Sequence, residues 1–292
     1  MPCFHAHPGR HGRVAALLTM AFLLVAFAAT ASPVAARNDQ GLVDSTTADP
    51  QPPAPTYDIS YPQCGQRLPN AETSAGRIVG VNGGRVFDAN PCLGGDAGPD
   101  GQLTWAGPDA AFYANTGNPG PEISTHWPDG QTAPRECNTP ANPGRDSAEC
   151  AFDYGWNAAA DSYRTAVEAY ISLGWARAGA TRTPQANQWW LDIETGNSWR
   201  DDAALNVATL QGAVAYLESM DVAGIGFYST QRQWDRIIDG SRAFADYPAW
   251  HAGASTLEEA RDNCADSSFT GGPLVLAQYL DDGFDANYHC PR

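Results

Sequence analysis

Between Tyr57 and Arg292 strand-like and helix-like stretches alternate with no second linker and no internal repeat, and that alternation restricts the fold more than any other feature of the chain. Short runs of β-branched and aromatic residues read as strands at Tyr57-Asp58-Ile59-Ser60, Arg77 to Asn82, Ala110 to Ala114, and Gln188 to Glu194. Further runs follow at Gly224 to Tyr228, Tyr247 to Trp250 and Leu274 to Tyr279, with a short last element around Phe284-Asp285. Helical patterns separate several of them, notably Ala158 to Leu173 and Ala203 to Ser219, the second with apolar residues at Leu205, Leu210, Val214 and Leu217. Such a series predicts an α/β fold in one domain over 57–292, an irregular (β/α)8 TIM-like barrel whose site lies at the C-terminal strand ends.

Within that series one strand carries paired acids. In Gln188-Trp189-Trp190-Leu191-Asp192-Ile193-Glu194-Thr195-Gly196 the side chains alternate faces, so Asp192 and Glu194 project to one side and Ile193 to the other. An i, i+2 pair on a strand stands about 7 Å apart. Like charges at that range oppose joint ionisation, so one carboxyl stays protonated near neutral pH and is able to act as a general acid. An isolated Asp-x-Glu more often caps a strand end in solvent; the surroundings shift the balance here. Asp58, Asn82, Tyr113, Tyr228, Gln278 and Asp285 also fall at or near predicted strand ends, which converge in a barrel. A cup of four carboxylates with aromatic walls suits a sugar, since carboxyls move protons and flat rings stack on pyranose faces. Trp105, Trp156, Trp175 and Trp234 read instead as packing.

The segments before the barrel point to export. Residues 1–36 have the form of a secretory signal: Arg10 and Arg13, an almost wholly apolar Val14 to Ala29, then Ala29-Thr30-Ala31 or Val34-Ala35-Ala36 for cleavage. Residues 37–56, with Pro50, Pro52, Pro53 and Pro55 and few large apolar side chains, read as a disordered linker. No later run is apolar enough to span a bilayer, so the expected product is extracellular, off the membrane once the signal is cut, and a monomer. All 17 basic residues are Arg against 33 acidic ones, a formal net charge of −16, which repels nucleic acid and anionic membranes. Cys64, Cys92, Cys137, Cys150, Cys264 and Cys290 remain after Cys3 leaves with the signal, and an even number in an exported chain argues for disulfides. Pairing of sequence neighbours would give Cys64–Cys92, Cys137–Cys150 and Cys264–Cys290. No Cys-x-x-Cys exists and His126, His251 and His289 lack ligand spacing, so neither a metal nor another cofactor is expected. Gly80-Val81-Asn82-Gly83-Gly84 lacks the Lys-Ser/Thr of a phosphate loop and reads as a turn.

Six fragments in order, Tyr57-Asp58-Ile59-Ser60, Leu191-Asp192-Ile193-Glu194, Gly226-Phe227-Tyr228-Ser229-Thr230, Pro248-Ala249-Trp250, Ala277-Gln278-Tyr279 and Phe284-Asp285-Ala286-Asn287, resemble the glycoside hydrolase family 25 lysozymes. The resemblance implies an irregular (β/α) barrel that cleaves the β-1,4 bond after N-acetylmuramic acid in peptidoglycan. It also implies Asp58, Asp192, Glu194 and Asp285 as the catalytic carboxylates, with Glu194 as proton donor. Tyr113, Asn82, Tyr228, Trp250, Gln278 and Tyr279 are the residues expected to bind the sugar. The chain departs from the family in Tyr61-Pro62-Gln63-Cys64, where a Trp-Gln pair is usual, and in Trp250-His251-Ala252-Gly253, where Trp-x-Ala-Tyr is common. Asn115 to Trp156 is a Pro/Gly-rich insertion expected to form one rim of the cleft. Two other classes compete. A chitinase-like enzyme would carry further acids upstream of Asp192, where Trp189 and Trp190 stand. A non-catalytic glycan-binding module on the same barrel has no need to keep four carboxylates together against their desolvation cost.

Overall fold

A computed structural model describes residues 54–95, 101–176 and 182–291. The signal segment at 1–36 lies outside the described residues, as does the linker up to residue 53, and the first strand begins at Thr56, the last residue expected in that linker. Eight strands close in sequence order into a barrel: β1 (Thr56–Ile59), β2 (Gly76–Gly80), β3 (Ala111–Asn115), β4 (Gln188–Asp192), β5 (Gly224–Ser229), β6 (Ala249–His251), β7 (Leu274–Asp281) and β8 (Phe284–His289). Neighbours from β1 to β7 are parallel, whereas β8 runs antiparallel to both β7 and β1.

That reversal follows from a two-residue connection. Asp282 and Gly283 both take positive φ, 49° and 83°, the Asp-Gly geometry that turns a tight hairpin and leaves no length for a helical crossover. The last element is longer than the sequence pattern suggested, because its residues, Phe-Asp-Ala-Asn-Tyr-His, mix polar with apolar side chains and form no apolar run. Its direction matters for the site. The first residues of β8, not its last, meet the C-terminal ends of the parallel strands, and Asp285 pairs across the ladder with Asp58.

Alternation along β4 divides the two cores. Trp189 and Leu191 face outward into a layer shared with Phe112, Tyr163, Tyr170, Leu210 and Val214, while Trp190 faces the barrel interior with Ile78, Trp250 and Leu276. The Trp190 and Trp250 rings stand 5.7 Å apart and nearly perpendicular, filling the barrel axis beneath the cleft.

Helices α1 (Gln102–Ala106), α2 (Ala148–Ser172), α3 (Ala203–Ser219), α4 (Gln231–Ile238) and α5 (Leu257–Asn263), with short 3-10 turns at Tyr61–Gln63, Ala71–Thr73 and Pro184–Ala186, complete the described elements. The stretch expected to be irregular from Asn115 to Trp156 is so only to Ser147, whose hydroxyl accepts from the Cys150 amide and caps α2. The extra helical turns hold Gly155, which serves a helix crossing: a methyl there would lie 1.8 Å from the Thr209 carbonyl oxygen of α3, and one on Gly212 would lie 1.9 Å from that of Phe152. Disulfides join Cys64 to Cys92, Cys137 to Cys150 and Cys264 to Cys290. Among the described residues no helix is long and apolar enough to cross a membrane.

Candidate active site

At the C-terminal end of the barrel a cleft of about 380 Å³ gathers Asp58, Asp192, Glu194 and Asp285 with Tyr113, Tyr228, Trp250 and Gln278. Its walls are Tyr61, Pro62, Gln63 and Gly84 on one side and Gly196 and Asn197 on another. Gly84 has φ +87° and a methyl on it would lie 2.6 Å from the Tyr61 ring, so the ring reaches its place only because that residue is glycine. A second cavity, about 490 Å³, opens among the first residues of the strands, Thr56, Gly76, Gln188 and Leu274, and holds none of these four acids.

Asp58, Asp192 and Glu194 are held in different ways. Asp58 is buried; its Oδ2 accepts from Asn287 Nδ2 at 2.6 Å, and Gln278 Nε2 approaches both oxygens at 3.2 and 3.3 Å. Gln278 in turn accepts from the Tyr228 hydroxyl at 2.8 Å, and Asn287 accepts from the Trp250 indole at 2.6 Å, so one network locks acid and aromatics together. Asp192, 3% exposed, accepts from Asn115 Nδ2 at 2.6 Å on Oδ2, while its Oδ1 is buried with no hydrogen-bond partner among the described residues. Glu194, two residues beyond and half-buried, has its carbonyl held by the Trp199 indole at 2.9 Å and the Asn197 amide at 3.1 Å.

Burial raises the proton affinity of all four. The Asp58 carboxyl is pushed up to about 8, first by desolvation and then by the neighbouring charge of Asp285. Asp192 lies well above the ordinary carboxylate range through burial first and the charge of Glu194 second. Glu194 and Asp285 are raised chiefly by burial. Burial also pushes the Tyr113 and Tyr228 phenols well above their ordinary range. The sequence leaves one proton on the pair and the resemblance implies Glu194 as its donor; in the free cleft the deeper Asp192 competes for that proton, because depth is invisible in an alternation pattern.

Two residues expected to bind sugar do not line the cleft. Asn82 lies just past β2, where the chain turns, and its side chain donates to Ser162 of α2 at 3.2 Å and accepts from the Asn115 amide at 2.9 Å. Tyr279 alternates to the outer face of β7, away from Gln278, and packs with Ala254, Ala260 and Ala286. The loop 116–147 supplies no lining residue either: it lies against the segment after β4, with the Asn118 amide on the Ser198 carbonyl at 2.7 Å. Sequence reasoning missed Asn115 and Asn287, which hold Asp192 and Asp58. The signal was present, since Asn115 directly follows the predicted third strand and Asn287 shares a face with Asp285.

A family model described as Lysozyme-like protein 1 matches residues 177–270, a stretch that contains Asp192 and Glu194. A probable GH family 25 lysozyme 4 of Dictyostelium discoideum is 34% identical over 95 residues, 32% of this chain and 42% of that protein. The chain is similar to the glycoside hydrolase family 25 lysozymes. A second such relative, probable GH family 25 lysozyme 2 of the same organism, is 31% identical over 107 residues, 34% of this chain and 48% of that protein. The matched stretches thus span under half the length of these family 25 relatives. Among solved structures, a muramidase from Trichobolus zukalii is 14% identical with a TM-score of 0.48, over 82% of this chain and 94% of that one. The family match leaves Asp58 and Asp285 outside its limits, and it is barrel closure that sets them beside Asp192 and Glu194.

Proposed function

We propose that the cleft is the active site of a secreted glycoside hydrolase that cleaves β-1,4 bonds in peptidoglycan or a related N-acetylated glycan. The observation that carries this reading is the Asp192 Oδ1, a carboxylate oxygen buried with no partner among the described residues, beside the half-buried Glu194. An acetamido N–H supplies the donor that this oxygen lacks. That hydrogen bond favours the Asp192 carboxylate, and the proton of the coupled pair then resides on Glu194.

Chemistry follows from those positions. Glu194 gives its proton to the glycosidic oxygen as the bond to the anomeric carbon breaks, and the acetamido carbonyl oxygen, oriented through its N–H by Asp192, bonds to that carbon. The leaving sugar departs with the proton. Water then attacks the anomeric carbon, the Glu194 carboxylate takes a proton from it, and the acetamido group is restored. Asp58 and Asp285 position sugar or water, and Tyr113, Tyr228 and Trp250 give the cup its flat walls. The signal-like residues 1–36 and the three disulfides support export. The acidic, Lys-free composition supports a neutral glycan over nucleic acid.

Digestion of purified peptidoglycan and, separately, chitin oligomers, with the new reducing ends identified by mass spectrometry, tests the proposal. Muramic acid ends are expected. Inactivity on every glycan would overturn it in favour of a binding module.

A further inference from the structure

The loop 116–147 stays off the cleft, yet three contacts tie it, and the helix behind it, to the seven residues 194–200 that carry Glu194. Arg200 grips Asp146 with two parallel hydrogen bonds, Nη1 to Oδ1 and Nη2 to Oδ2, both 2.7 Å, the planar fork geometry that fixes direction as well as distance. Gly120 lies under this guanidinium: a methyl there would stand 2.6 Å from Arg200 Nη1. The Asn118 amide bonds to the Ser198 carbonyl at 2.7 Å. From the other side the fully buried Asn206 of α3 holds the Arg200 backbone at both ends, accepting from its amide at 3.2 Å and donating to its carbonyl at 2.8 Å. Asp146 directly precedes Ser147, the cap of α2, and Cys150 in the first turn of α2 is bonded to Cys137 of the loop, so the partner side is itself rigid.

The segment between needs such support. Thr195, Gly196 and Ser198 are exposed, and the Trp199 indole reaches back to the Glu194 carbonyl. A segment with little burial opens locally at small free-energy cost unless it is tethered. We propose that the β3–α2 loop is a clamp on the proton-donor segment, with Asp146 and Arg200 as positioning residues that hold Glu194 over the bond to be cleaved. This rests on the reading of Glu194 as the acid, and extends it to residues that touch no substrate. Displacement of an acid by even an ångström costs catalysis rather than sugar affinity.

The test uses the full chain with Asp146→Asn and Arg200→Lys, and Glu168→Gln as a control that breaks an exposed pair with Arg164 on α2. Hydrogen exchange followed by mass spectrometry should show amides 195–200 exchanging about tenfold faster in both clamp variants, with α3 and the control unchanged. On cleaved glycan, kcat should fall by about fivefold with KM within about twofold of wild type. Wild-type exchange at 195–200 in both clamp variants would overturn the clamp. Faster exchange with unchanged kcat would overturn its catalytic role. A wild-type protein that cleaves no glycan would overturn the proposed function instead, and exchange would still decide whether the clamp exists.

Discussion

Glu194 and Asp192 sit at different depths at one strand end, and the proposed mechanism gives them different roles on that account. Glu194→Gln keeps shape and hydrogen-bonding reach but has no proton to give, so turnover should fall by about 10²-fold or more while glycan binding survives. Steady-state rates beside binding isotherms check this, and wild-type turnover would place the acid elsewhere. Asp192→Asn presents an amide to a buried position that needs an acceptor for the acetamido N–H. Its loss should be nearly as large on N-acetylated substrates and smaller on one with a better leaving group, a contrast that competing-substrate rates measure directly.

At the scale of elements, the packing of α2 on α3 is backbone to backbone. Gly155→Ala puts a methyl within 1.8 Å of the Thr209 carbonyl, where no rotamer gives relief, so the helices must separate. Thermal and denaturant melts should show a loss of about 3 kcal/mol or more, against under about 1 kcal/mol for an exposed helical site. The Cys137–Cys150 bridge closes a short loop with a sequence separation of 13, for which chain entropy predicts about 3 kcal/mol of stabilisation. The double Cys→Ala variant should lower the melting temperature while the barrel's far-ultraviolet spectrum persists; an unchanged melt would mean that the hydrogen bonds of the loop alone suffice.

For the whole molecule, gathering acids at one end of a barrel sets a pH dependence of stability. Asp58 keeps its proton up to about 8 when folded and loses it in the ordinary carboxylate range when unfolded. Its contribution is therefore fully present below that ordinary range and declines as pH rises to and through about 8, at about 1.4 kcal/mol per pH unit for one proton. Asp192, raised in the same direction, adds to the trend. Between about pH 6.5 and about pH 8.5 the folded state should lose about 2 kcal/mol or more, seen as a falling melting temperature in matched ionic strength. A flat or rising profile would show that the acids are not buried together.

The order of eight strands, the acids at their ends and the neighbour pairing of cysteines were legible in the chain because they depend on local pattern: apolar runs broken by turn residues, side chains of period two, thiols close in sequence. Tyr279 was expected at the sugar together with its neighbour Gln278, but period two puts adjacent strand residues on opposite faces, and Tyr279 takes the outer one. Asn82 failed for a related reason: past a strand end the turn, not the strand, aims the side chain. Tertiary structure alone decided the rest. The direction of β8 brings Asp285 across from Asp58, residues far apart in sequence that meet only when the barrel closes. Burial depth, which ranks Asp192 against Glu194, depends on everything packed around them. The loop after β3 looked like a cleft rim from its position, yet Asp146 and Arg200 join it to the acid's segment through a contact between residues 54 positions apart. Local sequence specifies which elements form; long-range closure decides which of their side chains meet, because those distances are set by the whole barrel at once.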